Sequence, residues 1–189
     1  AASYRELFKR TAGFRTVSCL ENTVGSGSNL GREFAELATL RGLIIEATGT
    51  PDRVGFCFDT CHAHAGGYDL AKPGGPQACL REWDSTCGLS NMRVLHLNDS
   101  KAAAGSKRDL HQHIGEGTIG LAGFKAFLAE PALHDRPKIM ETPKGDSPKG
   151  VPHDTLNLER LRAAMPGGKV ARASRRSEPK STKARSARR

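Results

Sequence analysis

Four acidic or imidazole side chains stand at or near the ends of four short apolar runs. Glu21 closes FRTVSCLE (14–21), Asp59 closes RVGFCFD (53–59), His96 lies in MRVLHLND (92–99) and Glu141 in PKIMETP (137–143). They are 38, 37 and 45 residues apart, about one strand-and-helix unit each. A single acid at a strand end is usually solvated or caps a helix, but four in succession point to one shared site. A second set joins them. His62 follows Asp59 by three residues, so one tight turn can aim both inward. Asp109 and His111, in KRDLHQHIGEG, are two apart and share one side of an extended segment. Carboxylate oxygen and imidazole nitrogen, with no forced thiolate, suit Zn²⁺, with Mn²⁺ or Fe²⁺ as alternatives. Seven such ligands are too many for one ion and suggest at least two. Carboxylates can bridge ions about 3.5–4 Å apart, a geometry suited to phosphoester cleavage.

Positioning these groups requires a particular fold. The four runs are short and rich in Val, Ile, Leu, Phe and Cys, which predicts buried strands. Continuous apolarity, rather than alternation, predicts a parallel sheet covered on both faces. Between the runs lie helical patterns. NLGREFAELATLRGLI places Phe34, Leu37, Leu40 and Ile44 at helical spacing. GGPQACLREWDSTCG is a second helix, and GLAGFKAFLAE a third with Leu121, Phe124 and Leu128 on one face. HDTLNLERLRAAM is a fourth, with Asp154 as N-cap and Leu158, Leu161 and Met165 on one face. SYRELFKR reads as the end of one more. Strands alternating with helices give an α/β fold whose parallel strands end along one rim, where ligands bind.

The formal charge of +9 is unevenly placed. From Lys169 to Arg189 there are nine Lys/Arg and one acid, a net of +8, whereas residues 1–168 carry a net of +1. The sequence therefore predicts a domain over 1–166 and a disordered basic tail over 167–189 suited to nuclear targeting or phosphate binding. The five cysteines, Cys19, Cys57, Cys61, Cys79 and Cys87, form no CxxC pairs. Free thiols in a reducing intracellular compartment are expected. No apolar run has signal-peptide or membrane-span character, and no membrane association is expected. The chain opens on Ala1 and enters a helix at once, which reads as a piece of a longer product.

Other polar residues have plainer readings. His64 is expected to face away from His62, and His113 to bond within a glycine-rich loop or to contact a phosphate. His134 and His153 are expected at the surface, and Trp83 in packing. GSGSNLG and GEGTIG are weak nucleotide signals, although such loops could let backbone N–H groups approach a phosphate.

Taken in order, LENTVGSGSNLG, VGFCFDTCHAHAGGYDL, VLHLNDSK, GSKRDLHQHIGEGTIG and IMETP resemble the endonuclease IV family of apurinic/apyrimidinic endonucleases, over about residues 4–165. The resemblance implies a (β/α)8 TIM barrel of which about the last four β-α units are present. It implies three zinc ions on the C-terminal rim, and cleavage of double-stranded DNA 5′ to abasic sites with trimming of blocked 3′ ends. Glu21 and Glu141 would be the catalytic carboxylates, with Glu21 bridging two ions. Asp59, His96 and Glu141 would complete the second zinc, and His62, Asp109 and His111 would hold the third. DNA contacts are implied at Lys101 and His113, with added affinity from Lys169, Arg172, Arg175 and Arg176 of the tail. A nuclear or other intracellular DNA compartment is expected, and a monomer when the barrel is complete.

Three departures accompany the resemblance. The two histidines that complete the first zinc site in the family have no counterpart here, since the first histidine is His62. Leu110 stands where the family often has Arg. His64 and Gly66 also differ from its common residues. Two other readings remain: a xylose-isomerase-like sugar isomerase or epimerase with a single metal, and a fragment that only binds DNA or a partner. This chain alone is expected to be weakly active or inactive.

Overall fold

A computed structural model describes residues 1–168; the basic segment from Lys169 to Arg189 lies outside the described residues. Four parallel strands form the central sheet in the order β1 (Ser18–Glu21), β2 (Val54–Asp59), β3 (Met92–His96) and β6 (Lys138–Ile139). Two very short strands, β4 (Asp99–Ser100) and β5 (His111–Gln112), pair antiparallel in the long segment after β3. The helices are α1 (Ala2–Arg10), α2 (Phe34–Thr48), α3 (Thr60–Gly66), α4 (Gly75–Thr86), α5 (Gly120–Leu128) and α6 (His153–Ala164). Helices α1, α2, α4, α5 and α6 form a row in which each packs on the next.

Local chemistry explains these elements. All six residues of β2 are buried, as the unbroken apolar run demands for a central parallel strand. Helix α2 opens with a reciprocal capping box between Glu33 and Glu36. It closes at Gly49, whose φ of 65° is a left-handed conformation that disfavours side chains. Trp83 of α4 is fully buried and meets Phe34, Phe56 and Phe58 edge-on, with ring centroids 4.8, 5.5 and 5.0 Å away. Phe58 also stacks on Phe127 of α5 at 5.2 Å. Burying each of these rings stabilises the chain by roughly 1.5–3 kcal/mol.

Several expectations are corrected. The strands are shorter than the apolar runs, and the run at 92–99 breaks after His96 before β4 begins. On α5, Phe124, Phe127 and Leu128 face the core, whereas Leu121 is exposed. The α6 N-cap is Pro152; Asp154 lies inside the first turn, where it pairs with Lys144 Nζ at 2.9 Å. Leu158 is exposed and Asn157 takes a buried place on that helix. The cysteines are free, as expected.

Candidate metal centre

Parallel strands in register bring the strand-end residues to one rim. Glu21, Asp59 and His96 are the last residues of β1, β2 and β3, and Glu141 lies two residues beyond β6. The ladder sets Asp59 beside His96, and His96 beside Ile139. One ligand atom from each of Glu21, Asp59, His96 and Glu141 then falls within 4.8 Å of the others. His96 Nδ1 lies 3.0 Å from Glu21 Oε1, 3.1 Å from Glu141 Oε2 and 3.9 Å from Asp59 Oδ2.

The second group is built around the same aspartate. Asp59 caps α3, its Oδ1 accepting the His62 N–H at 2.8 Å, and this turns the His62 ring toward the rim. The β4–β5 pair holds His111. Asp59, His62 and His111 offer ligand atoms within 4.8 Å of one another. Asp109 spans the two imidazoles, its oxygens 3.2 Å from His62 Nε2 and 3.2 Å from His111 Nε2. All seven sequence-predicted metal ligands therefore converge, and Asp59 is common to both groups.

The histidine tautomers test whether metal ions fit. His62 Nδ1 lies 2.9 Å from the Asn22 carbonyl and His111 Nδ1 lies 3.2 Å from the Glu141 carbonyl. A carbonyl only accepts, so each Nδ1 carries a proton and each Nε2, aimed inward, is the atom left for a metal ion. His111 Nε2 is buried with no hydrogen-bond partner among the described residues. An orphaned ring nitrogen facing carboxylate oxygens is what a divalent ion would satisfy, so the donor set fits.

Residues 1–164 match the model of the xylose isomerase-like TIM barrel family. The chain belongs to it. Within that family it is similar to proteins named for endonuclease IV. A protein from Trichlorobacter lovleyi named "Probable endonuclease 4" is 43% identical over 162 residues, which is 86% of this chain and 55% of that one. A protein of the same name from Oleidesulfovibrio alaskensis is 43% identical over 86% of this chain and 53% of its own length. The crystal structure of endonuclease IV from Thermus thermophilus superposes with a TM-score of 0.67 at 40% identity, covering 82% of this chain and 52% of that one. The chain spans about half the length of the curated relatives it matches. Both are bacterial proteins, which lends a nuclear location no support.

Charge at this rim is unevenly compensated. Burial opposes ionisation of Glu21, yet hydrogen bonds and attraction from His62 and His96 outweigh it and lower its pKa. Asp59, whose side chain is fully buried, goes the other way: desolvation raises its pKa despite His62, His111 and Asn98. Burial disfavours charge on His62 as well, but Glu21, Asp59 and Asp109 push its pKa up to about 9. Burial pushes the neighbouring Cys61 thiol up to about 12, so that it stays protonated near neutral pH.

Two asparagines escaped the sequence reading. Asn22 mimics a strand: its Oδ1 accepts Asp59 N–H at 2.8 Å and its Nδ2 donates to the Asp59 carbonyl at 3.0 Å. Asn98 does comparable work between β2 and the segment after β6. Each follows a ligand by one or two residues, in LEN and HLN, and that adjacency was the available signal. Asp99 was also overlooked; it gathers the N–H groups of Gly115, Gly117 and Ile119 and so fixes the loop behind His111. Gly117 is required there, because a Cβ would stand 2.4 Å from Asp99 Oδ1.

The remaining candidates fall outside the two groups. His64 is buried, bonded to the Leu70 N–H and to Thr118 Oγ1, and burial lowers its pKa. His113 stacks on His153 at 3.8 Å and meets Asn157 through Nδ1. His153 is thus partly buried, because the His113 ring covers it, and not the surface residue expected. Lys101 is exposed and its backbone pairs with Leu110. Lys169, Arg172, Arg175 and Arg176 lie outside the described residues. No helix among the described residues is long and apolar enough to cross a membrane.

Proposed function

We propose that this chain carries the metal-holding half of a zinc-dependent apurinic/apyrimidinic endonuclease, which cuts duplex DNA 5′ to abasic sites and trims blocked 3′ ends in base-excision repair. The reading rests above all on two ligand groups sharing one buried carboxylate, Asp59. A sugar isomerase holding a single metal would use Glu21, Asp59, His96 and Glu141 but would leave His62, Asp109 and His111 without a task. Relatives named endonuclease 4 favour the same choice.

Zinc bound there would supply Lewis acidity toward water and toward a phosphodiester. The protein's part is to hold and orient. By bonding Nδ1 to carbonyl oxygens, His62 and His111 leave Nε2 as the atom that a metal ion would take. Glu21, with its lowered pKa, remains an anionic ligand at neutral pH. Asp109 and Glu141 are the most exposed ligands, with side chains 53% and 45% accessible, so they face the side from which a phosphate would arrive. Lys101 and the basic tail would add backbone affinity without sequence preference, whereas His113, buried against His153 and Asn157, is not placed to contact a phosphate.

The experiment is to join this chain to the upstream half of the T. lovleyi relative, add zinc and supply a duplex with one abasic site. Incision on the 5′ side of that site is expected, with this chain alone weak or inactive. A folded, zinc-loaded barrel that leaves the abasic strand intact would overturn the proposal.

A further inference from the structure

Asn98 touches both ligand groups at once. It is fully buried, and both ends of its amide are engaged. Its Nδ2 donates to Asp59 Oδ2 at 2.7 Å and reaches Glu141 Oε2 at 3.4 Å. Its Oδ1 accepts the Glu141 N–H at 2.7 Å. Thr60 Oγ1 clamps the Asn98 backbone from both sides, donating to its carbonyl at 2.7 Å and accepting its N–H at 2.9 Å. The amide therefore has no freedom to rotate without breaking several bonds in a dry site, where unpaired polar groups are costly.

These bonds continue into the second group. Asn98 fixes the Glu141 N–H, and the next peptide unit, joined to it at the Glu141 Cα, presents the Glu141 carbonyl to His111 Nδ1, the contact that sets the His111 tautomer. A chain of hydrogen bonds thus runs from Asp59 Oδ2 through the Asn98 amide and the backbone of Glu141 to the His111 ring. We infer that Asn98 is a positioning residue that couples ion binding at the Glu21–Asp59–His96–Glu141 group to ion binding at the His62–Asp109–His111 group. This rests on the metal reading above. An ion drawing Asp59 and Glu141 into place at the first group also orients His111 for the second, and by linkage the effect is reciprocal. Residues that orient metal ligands without touching the metal are typically worth about 10–100-fold in affinity.

The test is a Zn²⁺ titration of the chain with ¹⁵N-labelled histidine, in which His96 reports the first group and His62 and His111 the second. In the wild type, the three histidines are expected to respond over one shared range. Asn98→Ala should weaken the second group about tenfold or more, although Asn98 contacts neither His62 nor His111, and the ranges should separate. Asp109→Asn, at an exposed ligand remote from His96, should move the His96 midpoint by about fivefold or more in the wild type, yet leave it in place once Asn98 is Ala. Unchanged midpoints in Asn98→Ala, or a shift of His96 alone, would overturn the coupling and leave the metal reading standing. If Asn98→Ala does not fold, Asp109→Asn decides: an unmoved His96 rejects the inference. A wild-type chain in which no histidine responds to zinc would overturn both readings.

Discussion

The two faces of β2 make opposite uses of burial. Phe56 and Phe58 point toward the helices, where Trp83 meets both rings and Phe127 stacks on Phe58. Cys57 and Asp59 point the other way, among the metal-ligand groups. Phe58 and Asp59 are neighbours and equally inaccessible, so burial alone does not separate their roles. On the helix side, removal from water is favourable and grows with area. On the rim side it is costly, and the Asp59 carboxylate is tolerated because His62 N–H, Asn98 and nearby imidazoles face it. One face gives the strand its rigidity; the other uses that rigidity to hold charge that invites a cation.

The sharpest way to break this contrast is at the rim. Glu21→Gln or Glu141→Gln, in a barrel completed to the relatives' length, should cut abasic-site incision by about 10²–10³-fold or more. Thermal unfolding should shift little, because both side chains are partly exposed. Wild-type incision from either variant would remove that carboxylate from the site. Trp83→Ala attacks the other face. It should cost about 3–5 kcal/mol in denaturant unfolding, while the fraction that remains folded binds zinc as before. Loss of zinc binding by that folded fraction would mean the two faces are not independent.

A subtler probe is pH. The folded chain without metal raises His62 from its ordinary 6.5 to about 9, so it holds that proton more tightly than the unfolded chain does. The resulting stabilisation is complete below about pH 6.5 and is lost as pH rises through about 9. The raised Asp59 pKa acts in the same direction. Melting of the metal-free chain should fall between those values, and zinc, which replaces the proton, should flatten the decline. A melting temperature that rises across that window would contradict the charge assignment. His134→Ala should change least, within about 0.5 kcal/mol, because that residue is exposed; a larger loss in unfolding free energy would mark it as structural.

The sequence made the scaffold and the metal ligands readable for a simple reason. Buried parallel strands must be apolar throughout, so a carboxylate or imidazole closing such a run stands out, as Glu21, Asp59 and His96 do. The residues that orient them do not stand out. Asn22 and Asn98 carry no charge, and their roles depend on which strand lies alongside, which only the register reveals. The strands β4 and β5 are two residues each, too short to show any period. Leu121 proved exposed because α5 is apolar apart from Lys125, and the direction of its neighbours decides which side is buried. The His113–His153 stack joins a loop residue to the first residue of α6, 40 positions on, where no spacing rule applies.

The most direct measurement is a crystal structure of the zinc-soaked chain with anomalous scattering collected at the zinc edge. Two ions are predicted, one among Glu21, Asp59, His96 and Glu141 with His96 bound through Nδ1, the other among His62, Asp109 and His111 with both rings bound through Nε2. Zinc peaks elsewhere, or these seven side chains turned away from one another with no ion between them, would contradict the account.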